Sequence, residues 1–209
     1  MPKLLYIEAS PRKERSHSIE IASIFLESYR EAYPTDEVEI LDLWTADLPP
    51  FNGQILDAKY AILNGLEHTV EQAEAWQVVK NLVEQFKTGT KYLFSLPMWN
   101  FGIPYRLKHY IDLITQPSLT YSFNPEEGYQ GRVNGRSVSV IYSRGGEYTQ
   151  DSGFENMDFQ KPYFESWLRF IGFSDIRPVI IEPTQQGKEK VELVKAFVAD
   201  HVKKIARKL

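Results

Sequence analysis

The feature that most constrains the fold of this 209-residue chain is a fivefold alternation of strand-like apolar runs with helical repeats. Short apolar runs are typical of strands that are covered on both faces of a sheet. One run differs, because charged and apolar residues alternate in it, which indicates a strand at the sheet edge. The alternation predicts one α/β domain, residues 1–209, with a parallel sheet, helices on both faces and right-handed crossovers. The predicted strands are residues 4–7, 37–43 (the edge strand), 92–96, 136–142 and 176–181.

The intervening segments carry apolar residues at helical spacing. Predicted helices follow Ser18 as far as Tyr33, cover residues 57–86 in two stretches divided near Asn64-Gly65, run through 107–114, and occupy 162–171 and 188–208. Residues 44–51 are predicted to form a loop. Residues 116–135 are predicted to be irregular, and a loop of this length that is rich in aromatic residues is usually functional.

Composition excludes several classes of function. A net charge of −4 without long single-sign blocks argues against a nucleic-acid partner. The absence of cysteine excludes disulfides, thiolate metal sites and cysteine nucleophiles. The histidines (His17, His68, His109 and His201) suggest neither a metal site nor a catalytic acid or base. Without a signal segment or an apolar span of membrane length, the chain is predicted to be soluble and cytoplasmic and to have no membrane partner.

The turn after the first strand is rich in hydroxyl groups, from Ser10, Ser16 and Ser18, and His17 lies among them. The first N–H groups of a helix lack intrahelical partners and carry partial positive charge, so this turn can bind a phosphate. The alternative is that Ser16 or Ser18 merely caps the helix.

Two more unusual turns follow the third and fourth predicted strands. The first contains Pro97, Met98, Trp99, Asn100 and Phe101, which offer flat or polarizable groups for a planar ring and an amide for its edge.

The second of these turns contains Ser143, Arg144, Gly145 and Gly146. Its diglycine lets backbone amides approach a heterocycle, and Arg144 is the basic side chain expected near the ligand. Taken singly, the aromatic residues could belong to the core and the glycines to an ordinary turn.

Loops after parallel strands meet at one edge of the sheet, where open α/β sheets bind ligands. A phosphate site, a spacer and a site for a planar ring with polar edges together indicate flavin mononucleotide (FMN). A dinucleotide is disfavoured because no G-x-G-x-x-G sequence follows the first strand.

These three turns resemble the corresponding turns of the FMN-dependent NADH-azoreductases, which belong to the flavodoxin-like quinone reductases. The resemblance covers nearly the whole chain in order and length, and the turn at 97–101 is its most specific part. It implies a flavodoxin-like three-layer sandwich with a five-stranded sheet of order 2-1-3-4-5. It also implies that residues 10 and 16–18 bind the FMN phosphate, and that residues 97–101 and 143–146 hold the ring. Members of this family usually have tyrosine or a similar aromatic residue at the position of Trp99, and often have glutamine at that of His17.

The resemblance further implies an activity and an assembly. NADH would reduce FMN, and a quinone or aromatic azo compound would then take two electrons in the same site by a ping-pong mechanism. The family is homodimeric with sites at the interface, so Tyr121, Phe123 and Tyr129 are expected to cover the flavin of the neighbouring subunit, although they could also pack on their own domain. The alternatives are a flavodoxin-like electron carrier and a flavin-binding module that has no small-molecule turnover.

Overall fold

The computed structural model describes residues 1–67 and 69–209, so His68 lies outside the described residues. Over these residues the chain forms seven β-strands and six α-helices. In chain order they are β1 (Lys3–Glu8), α1 (His17–Ala32), β2 (Glu37–Asp42), α2 (Gly53–Leu63), α3 (Val70–Thr88), β3 (Lys91–Pro97), α4 (Tyr105–Ile114), β4 (Tyr121–Asn124), β5 (Gly128–Gly131), β6 (Ser137–Ser143), α5 (Lys161–Ile171), β7 (Asp175–Ile181) and α6 (Lys188–Ala206).

The central sheet is parallel and has the order β2-β1-β3-β6-β7. Strands β4 and β5 form a separate hairpin, so the five sheet strands follow the predicted order 2-1-3-4-5, and that prediction is confirmed. The predicted edge strand, β2, lies at the edge, where most of its residues are exposed or half-buried. In the described part of the chain, no helix is both long enough and apolar enough to cross a membrane.

Side chains of β1 alternate between two cores, one on each face of the sheet. Leu4 and Tyr6 pack in the core that α1 and α6 cover, whereas Leu5 and Ile7 pack in the core beneath the other four helices. All four side chains are buried. This alternation is the period-two pattern of a strand that is covered on both sides, and it confirms the three-layer arrangement.

Side-chain caps set the starts of two helices. The Asn52 side chain accepts from the N–H of Ile55, so α2 begins four residues earlier than the predicted residue 57. Thr69 and Gln72 form a reciprocal capping box at the start of α3.

The prediction that residues 116–135 are irregular is wrong, because the antiparallel hairpin β4–β5 lies within them. Its end is fixed against α5: the N–H of Val133 donates to the Ile171 carbonyl (2.8 Å), and a Cβ on Gly131 would lie 2.3 Å from the Gly172 nitrogen. Strands of four residues are too short to show a clear alternation, which is why the sequence pattern did not indicate them.

Ion pairs link neighbouring segments at the amino end of the sheet. Lys3 on β1 bridges Glu37 (3.1 Å) and Glu39 (2.7 Å) of β2. Lys91 on β3 pairs with Asp36 (3.1 Å), and its ammonium lies 3.4 Å from the centre of the Tyr33 ring. Charged groups at this end of the sheet therefore contact groups of the same chain.

Candidate functional site

Three loops lie side by side at the carboxyl end of the sheet, after the neighbouring strands β1, β3 and β6. They are named here the first loop (residues 9–16), the second loop (98–104) and the third loop (144–148). The N–H of Met98 donates to the Ser143 carbonyl (2.8 Å), which joins the second loop to the end of β6. The structure thus brings together the three turns that the sequence analysis selected.

Three serines of the first loop and the α1 start are buried: Ser10, Ser16 and Ser18. Ser16 is the N-cap of α1, its Oγ accepts from the N–H of Ile19 (3.5 Å), and it lies 3.2 Å from the Ser18 Oγ. Ser10 Oγ accepts a long hydrogen bond from the N–H of Arg12 (3.4 Å). Ser16 therefore caps the helix, as the alternative proposed, and the same hydroxyls border the unpaired N–H groups of the first helical turn.

His17 is the first residue of α1. Its Nδ1 is buried and has no hydrogen-bond partner among the described residues, since Glu20 Oε2 lies 4.0 Å away. Burial, and then the charge of Lys195, lower the pKa of the His17 imidazole, so the ring is neutral at pH 7. An unpaired buried nitrogen at a helix start is a polar group that a ligand could satisfy.

Lys13 lies in the first loop with a left-handed backbone, φ 50°. Its ammonium contacts the Glu8 carboxylate and, at 2.6 Å, the Asp42 carboxylate. Left-handed φ in a non-glycine residue is strained and is often found at functional sites. Lys13 was not among the predicted site residues; the available signal was that Glu8 and Asp42 lie at the ends of two predicted neighbouring strands.

The second loop contains a tight turn with two left-handed residues. Trp99 and Gly102 exchange both backbone hydrogen bonds (3.0 and 2.9 Å), and between them Asn100 and Phe101 have φ of 45° and 69°. Two positive φ values at the centre define a type I′ turn, in which Asn is favoured but Phe is not. The turn exposes the Asn100 amide and the Phe101 ring to solvent.

Trp44 connects the first and second loops. Its indole N–H donates to the Ala9 carbonyl (3.1 Å), and its ring centre lies 5.7 Å from that of Trp99 and 5.4 Å from that of Tyr105. Trp99 and Tyr105 are themselves 6.3 Å apart, so the three rings form one cluster. The predicted loop 44–51 therefore supplies a side chain that supports Trp99, which the sequence pattern did not reveal.

The third loop is fixed through its backbone. The Arg144 carbonyl accepts from the N–H of Thr184 (2.8 Å), and the Gly145 carbonyl accepts from that of Gln185 (3.2 Å). A Cβ on Gly145 would lie 2.8 Å from the Gln185 side chain, whereas a Cβ on Gly146 would have its nearest neighbour at 3.7 Å. Gly145 thus accommodates Gln185, whereas a Cβ on Gly146 would make an ordinary van der Waals contact with Tyr148.

The Arg144 side chain differs from the expectation that it is available to a ligand. It is 2% exposed, and its guanidinium donates to Asp158 (2.7 Å), Glu182 (3.3 Å) and Gln160 (3.1 Å). The segment that carries Asp158 also reaches the second loop, because the N–H of Phe159 donates to the Phe101 carbonyl (3.0 Å). The Arg144 side chain therefore connects the third loop to Glu182 and to the segment around Asp158, which in turn contacts the second loop.

The three aromatic residues expected to form a lid lie on the hairpin rather than among the three loops. Tyr121 and Tyr129 pack on Phe170 of α5, with ring centres 4.9 and 5.5 Å apart, as the alternative of packing on their own domain proposed. Phe123 packs on Tyr129 (5.0 Å), and these two residues stay 61% and 63% exposed.

A cavity of about 600 Å³ extends from the second loop toward the hairpin. Its lining includes Gly102, Tyr105 and Phe159, and it shares Phe51 and Asp112 with a neighbouring cleft that Tyr121 and Tyr129 border. His109 also lines it and is half-buried, with Nε2 2.8 Å from the Pro49 carbonyl oxygen. Aromatic walls of this kind suit planar compounds.

The arrangement suits a ligand that has an anionic group and a flat polar ring. Hydroxyls, helix N–H groups and the unpaired His17 nitrogen lie at the first loop. Trp99, the exposed Asn100 amide and the Gly146 backbone lie at the second and third loops.

Comparisons of sequence agree with this description. Residues 2–205 match a family described as having a flavodoxin-like fold. An FMN-dependent NADH:quinone oxidoreductase of Desulfotalea psychrophila is 48% identical over 209 residues, which cover 100% of this chain and 98% of that protein. A protein of the same description from Nitratidesulfovibrio vulgaris is 51% identical over 187 residues, covering 90% of this chain and 89% of its own.

Solved structures give the same result. An azoreductase from Bacillus anthracis superposes with a TM-score of 0.91 at 30% identity, and the match covers 100% of both chains. A FMN-dependent NADH-azoreductase from the same species, solved in complex with FMN, has a TM-score of 0.86 at 29% identity and covers 99% of this chain and 100% of its own.

Proposed function

Because the chain belongs to the flavodoxin-like fold family and, within it, to the FMN-dependent NADH:quinone oxidoreductases, we propose that it uses NADH to reduce quinones by two electrons and to cleave aromatic azo compounds. FMN is its cofactor and NADH its electron donor. We further propose that residues 1–209 act as one FMN-binding domain in the cytoplasm, without nucleic-acid or membrane partners.

The observation that carries the proposal is the side-by-side placement of three loops that each suit a different part of FMN. Met98 bonds to Ser143, and Trp44 joins Ala9 to Trp99, so the loops form one continuous surface. The surface lies at the carboxyl edge of the sheet, where folds of this class bind ligands.

Each loop has a proposed role in binding. Ser10, Ser16, Ser18 and the backbone N–H of His17 would hold the phosphate of FMN at the start of α1. The residues of the second and third predicted turns would hold the ring: Pro97, Met98, Trp99, Asn100, Phe101, Ser143, Arg144, Gly145 and Gly146. Arg144 would act by positioning the third loop, because its side chain is buried against carboxylates and its backbone N–H and carbonyl bond to Ile181 and Thr184.

The chemistry that FMN supplies when bound is two-electron transfer, which allows NADH and the oxidant to use one site in turn by a ping-pong mechanism. The protein contributes binding and orientation. Trp99 and its aromatic neighbours provide a flat wall, and the cavity beside the second loop can accept a planar substrate. We assign no protein side chain as a catalytic acid or base.

We propose a homodimer with the sites at the interface. The exposed rings of Phe123 and Tyr129 would pack over the flavin of the other subunit, since their own chain covers one side of them and leaves the other open. Light scattering at micromolar concentration should give twice the chain mass. A monomer that retains bound flavin and activity would contradict this assembly.

The main experiment is the absorption spectrum of the purified protein followed by anaerobic addition of NADH. A yellow protein that bleaches with NADH and recovers with benzoquinone or an azo dye is expected. A protein that binds FMN but shows no turnover with either oxidant would instead be an electron carrier or a flavin-binding module. A protein that stays colourless in excess FMN would overturn the proposal.

A further inference from the structure

Two carboxylates contact Lys13 of the first loop, the loop that carries the proposed phosphate site. Glu8 and Asp42 are the last residues of the neighbouring strands β1 and β2, and they stand opposite each other in register. Both side chains are largely buried, with 12% and 20% exposed. Ser10 follows Glu8 by two positions, so these negative charges lie near the position proposed for an anionic group.

Lys13 offsets one of these two negative charges. Its ammonium contacts Glu8 and lies 2.6 Å from Asp42 Oδ2. Burial acts to lower the pKa of Lys13, but the hydrogen bonds that its ammonium donates to Asp42 and Glu8 raise it above its ordinary value. Burial acts to raise the pKa of Asp42, but hydrogen bonds hold it below its ordinary value, and the one from Lys13 has the largest effect among them. Lys13 and Asp42 are therefore both charged at neutral pH.

The backbone of Lys13 joins this ion pair to the helix start. Lys13 begins a single 3₁₀ turn, and its carbonyl accepts from the N–H of Ser16 (2.8 Å). Ser16 is the residue that caps α1. The backbone of Lys13 thus contacts the residue that caps α1, while its side chain contacts the two carboxylates.

We propose that Lys13 is a positioning residue that makes this site selective for the phosphorylated flavin, because its ammonium offsets part of the negative charge of Glu8 and Asp42 beside the residues that would hold the phosphate. The inference rests on the proposed function. It concerns the phosphate alone, so the same flavin without phosphate serves as an internal reference.

The experiment measures the dissociation constants of FMN and riboflavin for the full-length chain after removal of bound flavin, by quenching of flavin fluorescence at low ionic strength. The test variant is Lys13→Met, which keeps a Cβ and an unbranched chain at the left-handed position. The matched control is Lys3→Met. Lys3 of β1 also contacts two carboxylates, Glu37 and Glu39 of β2, but at the opposite end of the sheet.

Lys13→Met is expected to weaken FMN binding about 10-fold, while riboflavin binding changes less than about 2-fold. Added salt should reduce the loss of FMN affinity, because salt screens exposed charges. Lys3→Met should leave the ratio of the two constants unchanged. In the double variant Glu8→Gln and Lys13→Met, removal of one unpaired carboxylate should restore part of the FMN affinity. The ratio of the FMN and riboflavin dissociation constants does not depend on the fraction of each variant that is folded.

Each remaining outcome decides a separate point. If the wild-type chain binds neither flavin, the proposed function fails and this inference with it. If the wild-type chain binds FMN but Lys13→Met weakens FMN and riboflavin equally, or neither of them, the proposed function stands and the role of Lys13 is overturned.

Discussion

The two ends of the central sheet differ in how they satisfy their polar groups. At the amino end, Lys3 bridges Glu37 and Glu39, and Lys91 pairs with Asp36. At the carboxyl end, the His17 Nδ1 is buried without a partner among the described residues, and the Asn100 amide faces solvent.

Backbone strain follows the same division. Among the described residues, four that are not glycine have left-handed φ, and three of these, Lys13, Asn100 and Phe101, lie in the first and second loops. Strained backbone and unpaired polar groups reduce stability, and they persist where a ligand completes the structure. This difference is what the proposed function predicts, with the amino end serving folding and the carboxyl end serving flavin binding.

The largest expected effect tests an exception to this division, the buried ion cluster of Arg144 at the carboxyl end. Arg144→Met leaves Asp158 and Glu182 without their cation, so the free energy of unfolding should fall by about 3–5 kcal/mol. Urea unfolding measures it. Arg177→Met, which removes a more exposed pair with Asp175 at the amino end, should cost at most about 1 kcal/mol. Equal losses would show that burial of the cluster is unimportant.

The second prediction tests whether pairing at the amino end contributes stability. Burial acts to raise the pKa of Asp36, but hydrogen bonds from Tyr29 (2.6 Å) and Lys91 (3.1 Å) hold it below its ordinary value. Asp36→Asn should therefore lower the free energy of unfolding by about 1–3 kcal/mol at pH 7.

The pH dependence of that loss has a definite sign. The charged form of Asp36 is favoured in the folded state, so its contribution is complete above the unfolded pKa of about 4 and disappears as the pH falls through the lower folded pKa. Unfolding of both proteins at pH 7 and near pH 2 measures the difference. A loss that is the same at both values would mean that the carboxylate charge does not act here.

The third prediction concerns strain in the second loop. Asn100→Val places a branched side chain at φ 45°, which should destabilise the protein by about 1–2 kcal/mol and weaken FMN binding. Asn100→Gly is the control: it accepts this φ, so it should keep the stability and lose the contacts of the amide with the ring. Thermal unfolding and flavin titration separate the two effects. A fully stable Asn100→Val protein would show that the turn is not under strain.

The smallest effect is expected for the contact between the first and second loops. Trp44→Phe removes the hydrogen bond to the Ala9 carbonyl and keeps an aromatic ring, so it should cost about 0.5–1.5 kcal/mol. Because Trp44 supports Trp99, flavin binding should weaken as well. Tyr33→Phe removes a hydrogen bond to the Arg207 carbonyl at the amino end and should leave flavin binding unchanged. Equal effects of the two variants on flavin binding would contradict the role of Trp44.

Much of the fold could be predicted from the sequence, because apolar runs and helical repeats extend over enough residues to be distinct. The five sheet strands and their order are confirmed. The hairpin β4–β5 was missed because strands of four residues show little alternation. The start of α2 was placed late because its cap, Asn52, precedes the apolar repeat.

The site could be predicted to the level of loops. Residues 10–18, 97–101 and 143–146 lie at one sheet edge as expected, and their binding of FMN stays a prediction. Contacts over long sequence distances could not be read from local patterns. The bonds from Arg144 to Glu182, from Lys13 to Asp42 and from Trp44 to Ala9 exist because the topology brings distant segments together.

The buried guanidinium of Arg144 joins the second and third loops, because it bonds to Asp158 and the adjacent Phe159 N–H donates to the Phe101 carbonyl. The first loop instead relies on the Lys13 side chain, which is 36% exposed. We therefore expect amide hydrogen exchange to be faster at residues 11–15 than at Met98 or Arg144, and a small molecule to enter and leave past residues 11–15.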